Sequence, residues 1–193
     1  MRDIPSAKNL ALPMLIVVSV FIAQWIRSTE QMPTWHFEGQ IMGTTFTVKA
    51  VHTTEIPLEL VTDVLEAVNE RMSTYSEYSE LSLLNQNTTQ SPIQISASLK
   101  EVLQASKKIS EDSQGRFDVT VGPMVNAWGF GPNKDRRNPS SELLKTLKAR
   151  TGNHLWTLGE SEVTKLHPKL YIDLSAIAKG YAVDQVVKAL GQA

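Results

Sequence analysis

The sequence predicts an α+β domain following a membrane-directed N-terminal segment. Three observations predict it. Helical and strand-like stretches alternate along the chain without segregating into separate halves. With 193 residues, 41% apolar and 20% charged, the chain can bury a real core. An uncharged run from Asn9 to Ile26 stands apart from everything after it. The organisation expected is 1–27 as a membrane anchor or signal segment, 28–40 as a linker and 41–193 as the folded domain.

Asn9 to Ile26 lies between Arg2 and Lys8 on one side and Arg27 on the other. At ~1.5 Å per residue, eighteen residues reach the lower edge of a ~30 Å hydrocarbon layer. Pro13 is tolerable near the start of such a helix, and Trp25 falls where an interfacial aromatic would. A cleaved signal peptide and a buried core helix are the alternatives. Either of the first two readings puts the domain outside the cytoplasm. The basic residues ahead of the run orient the N-terminus inside.

Ser28 to Gln40 reads as a polar linker broken by Pro33. Ile41 to Val51 alternates, with Phe46, Val48 and Ala50 opposite Thr45, Thr47 and Lys49, as a half-buried strand does. Pro57 opens a helix to Met72 with an apolar stripe of Leu60, Val61, Val64, Leu65, Val68 and Met72. A loop follows through Tyr75 to Asn87, where Glu80 reads as a local cap. Ser98-Leu99-Lys100-Glu101 is a capping-box pattern for a helix to Glu111. Gly115 to Pro132 is rich in glycine and poor in strand, and Trp128 and Phe130 read as packing residues. Ser140 or Ser141 caps a helix ending near Gly152. His154–Leu158 and Glu162–Leu166 form a hairpin. Leu170–Leu174 reads as a buried strand running into a helix capped by Ser175 and ending near Leu190.

Composition excludes several functions. A net charge of −1 gives no broad basic surface for nucleic acid. No cysteine is present, so disulfides, thiolate metal sites and cysteine nucleophiles are out. The four histidines, His36, His52, His154 and His167, lack paired metal spacing and read as surface residues.

Chemistry concentrates in three places. At Asp173–Tyr181, an acid ends a strand, the first helical turns are small (Ala176, Ala178, Gly180), and Lys179 adds a cation. Free N–H groups at a helix start attract phosphate, and Asp173 offers an acceptor. The combination suits a nucleotide with a divalent ion, or simply a turn with a surface lysine. The Met72–Asn85 loop offers hydroxyls and the ring of Tyr75, which suits a flat heterocycle or an ordinary loop. Gly115-Arg116-Phe117-Asp118 brings a cation, a ring and a carboxylate together, or forms a turn into Val119-Thr120-Val121.

These stretches, with Met42-Gly43-Thr44-Thr45-Phe46, resemble the ApbE family, the FAD:protein FMN transferases. Four motifs match in the family's order from about Gly39 to the last residue. The resemblance implies an ApbE-like, T-fold-related flavin transferase domain. It implies FAD contacts at Met42, Tyr75, Arg116, Phe117, Asp118, Asp173 and Lys179, and Mg²⁺ ligated by the backbone carbonyl of Ala176. Relatives often carry a small or aliphatic residue in place of Arg116, so its side chain is free to face solvent. The implied reaction moves FMN from FAD to a threonine hydroxyl of an acceptor flavoprotein and releases AMP. Typical acceptors are subunits of respiratory or electron-transport complexes. The implied location is the bacterial inner membrane, with the domain facing the periplasm. FAD pyrophosphatase activity and a non-catalytic, membrane-tethered flavin-binding fragment are the competing functions. The resemblance covers only the first part of the family's domain. Further magnesium ligands and a histidine near the flavin are expected beyond it, so half a site is expected here, inactive alone.

Overall fold

The computed structural model describes residues 14–24, 32–131 and 138–193. Within the expected anchor, residues 14–24 form a helix (α1), and the rest of that segment lies outside the described residues. Among the described residues no helix is long and apolar enough to cross a membrane. Two compact units emerge. The smaller takes residues up to Phe37 together with Val48–Ile56, and the larger takes Glu38–Thr47 and Pro57–Ala193.

Strands β1 (Thr34–Ile41) and β2 (Thr44–Val51) pair as a hairpin. Most of the expected linker is therefore strand. Its alternation of Trp35, Phe37, Gly39 and Ile41 inward is the period-2 pattern that the isolated Pro33 and the polar neighbours obscured. In β2 the predicted face holds: Phe46, Val48 and Ala50 are half-buried, and Thr45, Thr47 and Lys49 are exposed. In the smaller unit, Trp35 Nε1 donates to the His52 carbonyl at 3.2 Å, and the His52 N–H donates to the Pro33 carbonyl at 3.1 Å.

The larger unit is built on two packed helices. Helix α2 (Leu58–Met72) buries Val61, Leu65, Val68 and Met72, and α7 (Ala178–Leu190) buries Ala178, Ala182 and Val186. Their i, i+4 spacing gives each helix one apolar stripe, and the two helices form the most extensive helix pair of the unit. Helix α3 (Glu80–Gln86) follows, capped by Ser79. Glu80 is not a local cap. Its carboxylate accepts from the Ser96 hydroxyl at 2.6 Å and from Arg71 at 3.1 Å, joining three elements. Helix α4 (Ala97–Asp112) takes Ser96 as its cap, two residues before the capping-box serine.

A three-stranded antiparallel sheet, order β3-β5-β4, combines Ile93–Gln94, Glu162–Lys165 and Trp156–Leu158. Helix α5 (Gly122–Ala127) follows a 3₁₀ turn at Val119–Val121, and α6 (Ser141–Lys148) is capped by Ser140.

Leu170, Ile172 and Leu174 are buried as expected, but the segment is not a strand. The side chain of Asn85 brackets Ile172, accepting from its N–H and donating to its carbonyl, both at 2.8 Å. Asp173 N–H donates to the Val119 carbonyl at 2.7 Å. A carboxamide thus takes the place of a neighbouring strand.

Candidate functional site

Four pieces of the larger unit surround one cavity of about 760 Å³, within the range of small-molecule sites. The first is the tip of the β1–β2 hairpin. Met42 (φ 52°) and Gly43 (φ 71°) both take left-handed backbone, as a two-residue type I′ turn requires. Methionine in that region is uncommon, and the turn directs it to the cavity rim.

The second piece is the loop after α2. Ser73 ends the helix, and its hydroxyl accepts from the N–H groups of Tyr75 (3.1 Å) and Ser76 (3.2 Å). Its carbonyl accepts from the Ser79 and Ser82 hydroxyls. The backbone is thereby fixed, while the Tyr75 ring remains 60% exposed over the cavity.

The third piece is Arg116–Val125. Asp118 Oδ1 accepts from Thr120 N–H (2.8 Å) and from the Thr120 hydroxyl (2.7 Å). That hydroxyl in turn accepts from the Gly152 N–H at 2.6 Å. Thr120 is fully buried, so the carboxylate is oriented by a rigid partner. Phe117 is half-buried in the wall. Arg116 is exposed and hydrogen-bonds its own loop, at the Ser113 carbonyl (3.3 Å) and Gln114 (3.4 Å).

The fourth piece is the turn into α7. Asp173 Oδ1 accepts from the Ser175 N–H at 2.8 Å, so the acid shapes the turn, and Ser175 does not cap the helix. The helix instead starts at Ala178 behind Ile177, with no side-chain cap. The reason is local: Asp173, two residues earlier, forms the Asx turn first. The N–H groups of Lys179 and Gly180 meet no backbone acceptor among the described residues, and Lys179 is exposed at the cavity.

The structure therefore gathers Met42, Tyr75, Arg116, Phe117, Asp118, Asp173, Ala176 and Lys179 around one cavity. Phe130 was expected to pack; instead it lines the cavity, 66% exposed, and Trp128 is 45% exposed. Asn69, Thr74 and Val125 join the lining without having been singled out. Behind it stands Tyr171, whose ring lies against Gly122 and whose hydroxyl faces Asn126 and Thr74. Burial raises its pKa above the ordinary tyrosine value. Of the histidines, His36 and His154 are exposed, and His52 and His167 are half-buried.

A magnesium ion wants about six oxygens, most of them from carboxylates, phosphates and water. Among the described residues no three His, Asp or Glu side chains are placed to hold a metal. Asp173 Oδ1 is engaged with Ser175, and Ala176 supplies a single carbonyl. The described residues do not by themselves make a magnesium centre.

The sequence profile of the ApbE family matches residues 42–193, which include all eight of these positions. The chain belongs to the ApbE family. It is 42% identical over 166 residues to the FAD:protein FMN transferase of Haemophilus influenzae, covering 80% of this chain and 48% of that protein. To the FAD:protein FMN transferase of Vibrio cholerae it is 40% identical over 161 residues. Among solved structures, the flavin transferase ApbE from Vibrio cholerae superposes with a TM-score of 0.79 at 38% identity, over 83% of this chain and 54% of that one. The apo flavinyl transferase ApbE of Pseudomonas stutzeri gives 0.78 at 32% identity, over 85% and 55%. The fold is accordingly ApbE-like, with mixed helices and strands. The chain spans about half the length of the curated relatives it matches.

Proposed function

We propose that this chain is the FAD-binding portion of an FAD:protein FMN transferase. One observation carries the reading: positions spread from Met42 to Lys179 converge on one cavity in a chain of the ApbE family. Its chemistry suits FAD. Tyr75 and Phe117 offer rings to a flat heterocycle. Lys179 and the start of α7 offer charge and N–H groups to a diphosphate. Asp173, held by Ser175, offers an acceptor of fixed direction.

In the proposed reaction a threonine hydroxyl of an acceptor flavoprotein attacks the phosphorus on the FMN side of the diphosphate. The anhydride P–O bond breaks, AMP leaves with the bridging oxygen, and the hydroxyl proton is lost. The products are AMP and FMN joined to threonine by a phosphoester. The chain's own part is to hold the diphosphate in line and exclude motion of the rings. No side chain here is assigned as the base, and no step is routed through a metal. Mg²⁺ would find one ligand in the Ala176 carbonyl; diphosphate oxygens, water and the portion of the relatives' length that this chain does not span would supply the others.

The acceptor would be a subunit of a respiratory or electron-transport complex. The domain would face the periplasm, tethered through the uncharged Asn9–Ile26 run, whose preceding Arg2 and Lys8 support that orientation. A second reading is a tethered flavin-binding module without catalysis; among the described residues no three His, Asp or Glu side chains are placed to hold a metal.

The test uses the full chain in detergent with FAD, Mg²⁺ and a threonine-bearing acceptor. Quenched flavin fluorescence would establish binding, and mass spectrometry would report covalent flavin. AMP release without acceptor would indicate a pyrophosphatase. Binding without AMP would indicate the module, and absence of FAD binding would overturn the proposal.

A further inference from the structure

Between two residues of the cavity wall, Val119 and Val121, stands one that is fully buried, Thr120. Its hydroxyl accepts from the Gly152 N–H at 2.6 Å and donates to Asp118 Oδ1 at 2.7 Å. The assignment of roles is forced. A backbone N–H can only donate, so the hydroxyl's own proton is left for the carboxylate. Gly152 lies in the turn between α6 and β4, with φ at 147°, and a Cβ there would fall 2.4 Å from the His154 ring. The donating N–H is thus held by a backbone conformation that favours glycine.

Asp118 Oδ1 also accepts from the Thr120 N–H at 2.8 Å. Two donors converge on one oxygen, and both belong to a residue held in place. Val119 and Thr120 are buried, and the Val119 carbonyl accepts from the Asp173 N–H at 2.7 Å. The β-branched side chain of threonine adds stiffness at χ1. Asp118 Oδ2 makes no hydrogen bond among the described residues, and Asp118 is half-buried in the cavity lining. The carboxylate is divided: one oxygen belongs to the fold and the other to the cavity. An ionised carboxylate oxygen only accepts, so it suits a hydroxyl or an N–H and repels a phosphate.

We propose that Thr120 is a positioning residue of the FAD site: it turns the Asp118 carboxylate so that Oδ2 takes a hydrogen-bond donor of the ligand, a hydroxyl or an N–H. This deepens the FAD-binding reading and rests on it. FAD carries such donors on both halves. The flavin half has ribityl hydroxyls and a ring N–H, and the adenosine half has ribose hydroxyls and an amino group. Thr120 touches neither half; it acts through Asp118.

The experiment titrates the full chain with FAD, FMN and ADP by calorimetry, as wild type, Asp118→Ala, Asp118→Asn, Thr120→Ser, Thr120→Val and the Asp118→Ala, Thr120→Val double variant. Asp118→Ala should lose roughly ten- to a hundredfold in FAD affinity. Thr120→Val keeps the shape without the hydroxyl and should lose about tenfold, whereas Thr120→Ser should stay within about threefold of wild type. In the Asp118→Ala background, Thr120→Val should cost less than about twofold more. A residue that only supports the fold would weaken FAD equally in both backgrounds, and thermal midpoints report the fold separately. Asp118→Asn is the sharper arm and does not depend on Thr120→Val folding. The two Thr120 donors claim the amide oxygen, so the NH₂ group faces the cavity and meets a donor with a donor. Its loss should equal or exceed that of Asp118→Ala. A parallel loss of FMN affinity places the ligand's donor on the flavin half, and a loss of ADP affinity places it on the adenosine half. Asp118→Asn within about threefold of wild type would mean that the side chain rotates freely. That result, or additive losses in the double variant, would overturn the positioning role. Failure of the wild-type chain to bind FAD would instead overturn the underlying reading, so the two failures are distinguishable.

Discussion

Two lysines of this chain, both beside a helix end, have opposite fates. Lys165 on β5 is 1% exposed, and its ammonium donates to the carbonyls of Leu84 (3.3 Å), Asn85 (3.2 Å) and Asn87 (2.5 Å). These carbonyls close the carboxyl end of α3, where a cation is favoured. All three of its donors meet the protein itself, and it has none left for a ligand. Lys179 stands exposed at the amino end of α7, in the wall of the cavity. A cation there opposes the helix dipole and gains nothing for the fold. The contrast teaches how to separate structural from functional charge: a group whose donors are all met internally holds the fold, and one left open beside a cavity is available for binding.

The largest effect expected is from Lys165→Met. It leaves three carbonyls at a helix end without their donor. We expect a loss of roughly 2–4 kcal/mol, or a fall of about 5–15 °C in thermal midpoint. FAD affinity of the folded fraction should be unchanged. Burial also lowers the Lys165 pKa. The folded state therefore binds fewer protons than the unfolded chain just below the ordinary lysine value, and this group adds stability as pH rises there. A midpoint within 2 °C of wild type at neutral pH, roughly a 1 kcal/mol change or less, would erase the distinction drawn above.

Asp173→Ala comes next. The substitution removes both the acceptor in the cavity and the bond that shapes the turn into α7. FAD affinity should fall roughly ten- to a hundredfold, and stability by about 1 kcal/mol through the lost turn hydrogen bond. Calorimetry checks it, and equal affinity would remove Asp173 from the site. Lys179→Ala should weaken FAD by a smaller factor, on the order of threefold to tenfold, because exposed charges are screened. The loss should shrink as salt is raised. A salt-independent loss would mean that Lys179 acts by shape rather than charge.

Much of this was legible in the sequence, and the gaps have physical reasons. Helix α2 was readable because Pro57 and a six-residue apolar stripe agree. The ring- and charge-bearing motifs from Met42 to Lys179 were readable because their residue types are unusual together. Helix α3 was read as loop: Glu80–Gln86 spans only two turns, too few for a helical period to show. Strand β3 is two residues whose partners, Glu162 and Val163, lie far along the chain. The Leu170–Leu174 segment looked like a strand because its burial is strand-like; that its neighbour would be the side chain of Asn85 is a tertiary fact. Phe130 was misjudged for a similar reason. A phenylalanine among glycines reads as a packing residue, and only the helix end at Gly129 turns it toward the cavity.

The smallest effect, and the finest test of the comparison, belongs to Tyr171. It is neither saturated like Lys165 nor open like Lys179. Its hydroxyl faces Thr74, which lines the cavity, and Asn126 on α5. Burial raises its pKa most, and the charge of Asp173 adds to the rise. The sign of the consequence follows from proton counting. Between the unfolded value of 10.0 and the raised folded value, the native state holds a proton that the unfolded chain has lost. Stability present at lower pH is therefore lost as pH climbs through that window. Tyr171→Phe cannot ionise, so its denaturation midpoint should fall less steeply than that of wild type above about pH 10. The slope should be reduced rather than abolished, because Tyr181 is also raised, by burial and then by Glu101. At neutral pH the variant should lose about 0.5–1.5 kcal/mol, the worth of an ordinary hydrogen bond. FAD affinity should drop only if Thr74 and α5 need that hydroxyl to stay in register. Urea titrations across the alkaline range decide it: parallel slopes for variant and wild type would show that the Tyr171 hydroxyl is solvated, and that Thr74 and Asn126 are held by other means.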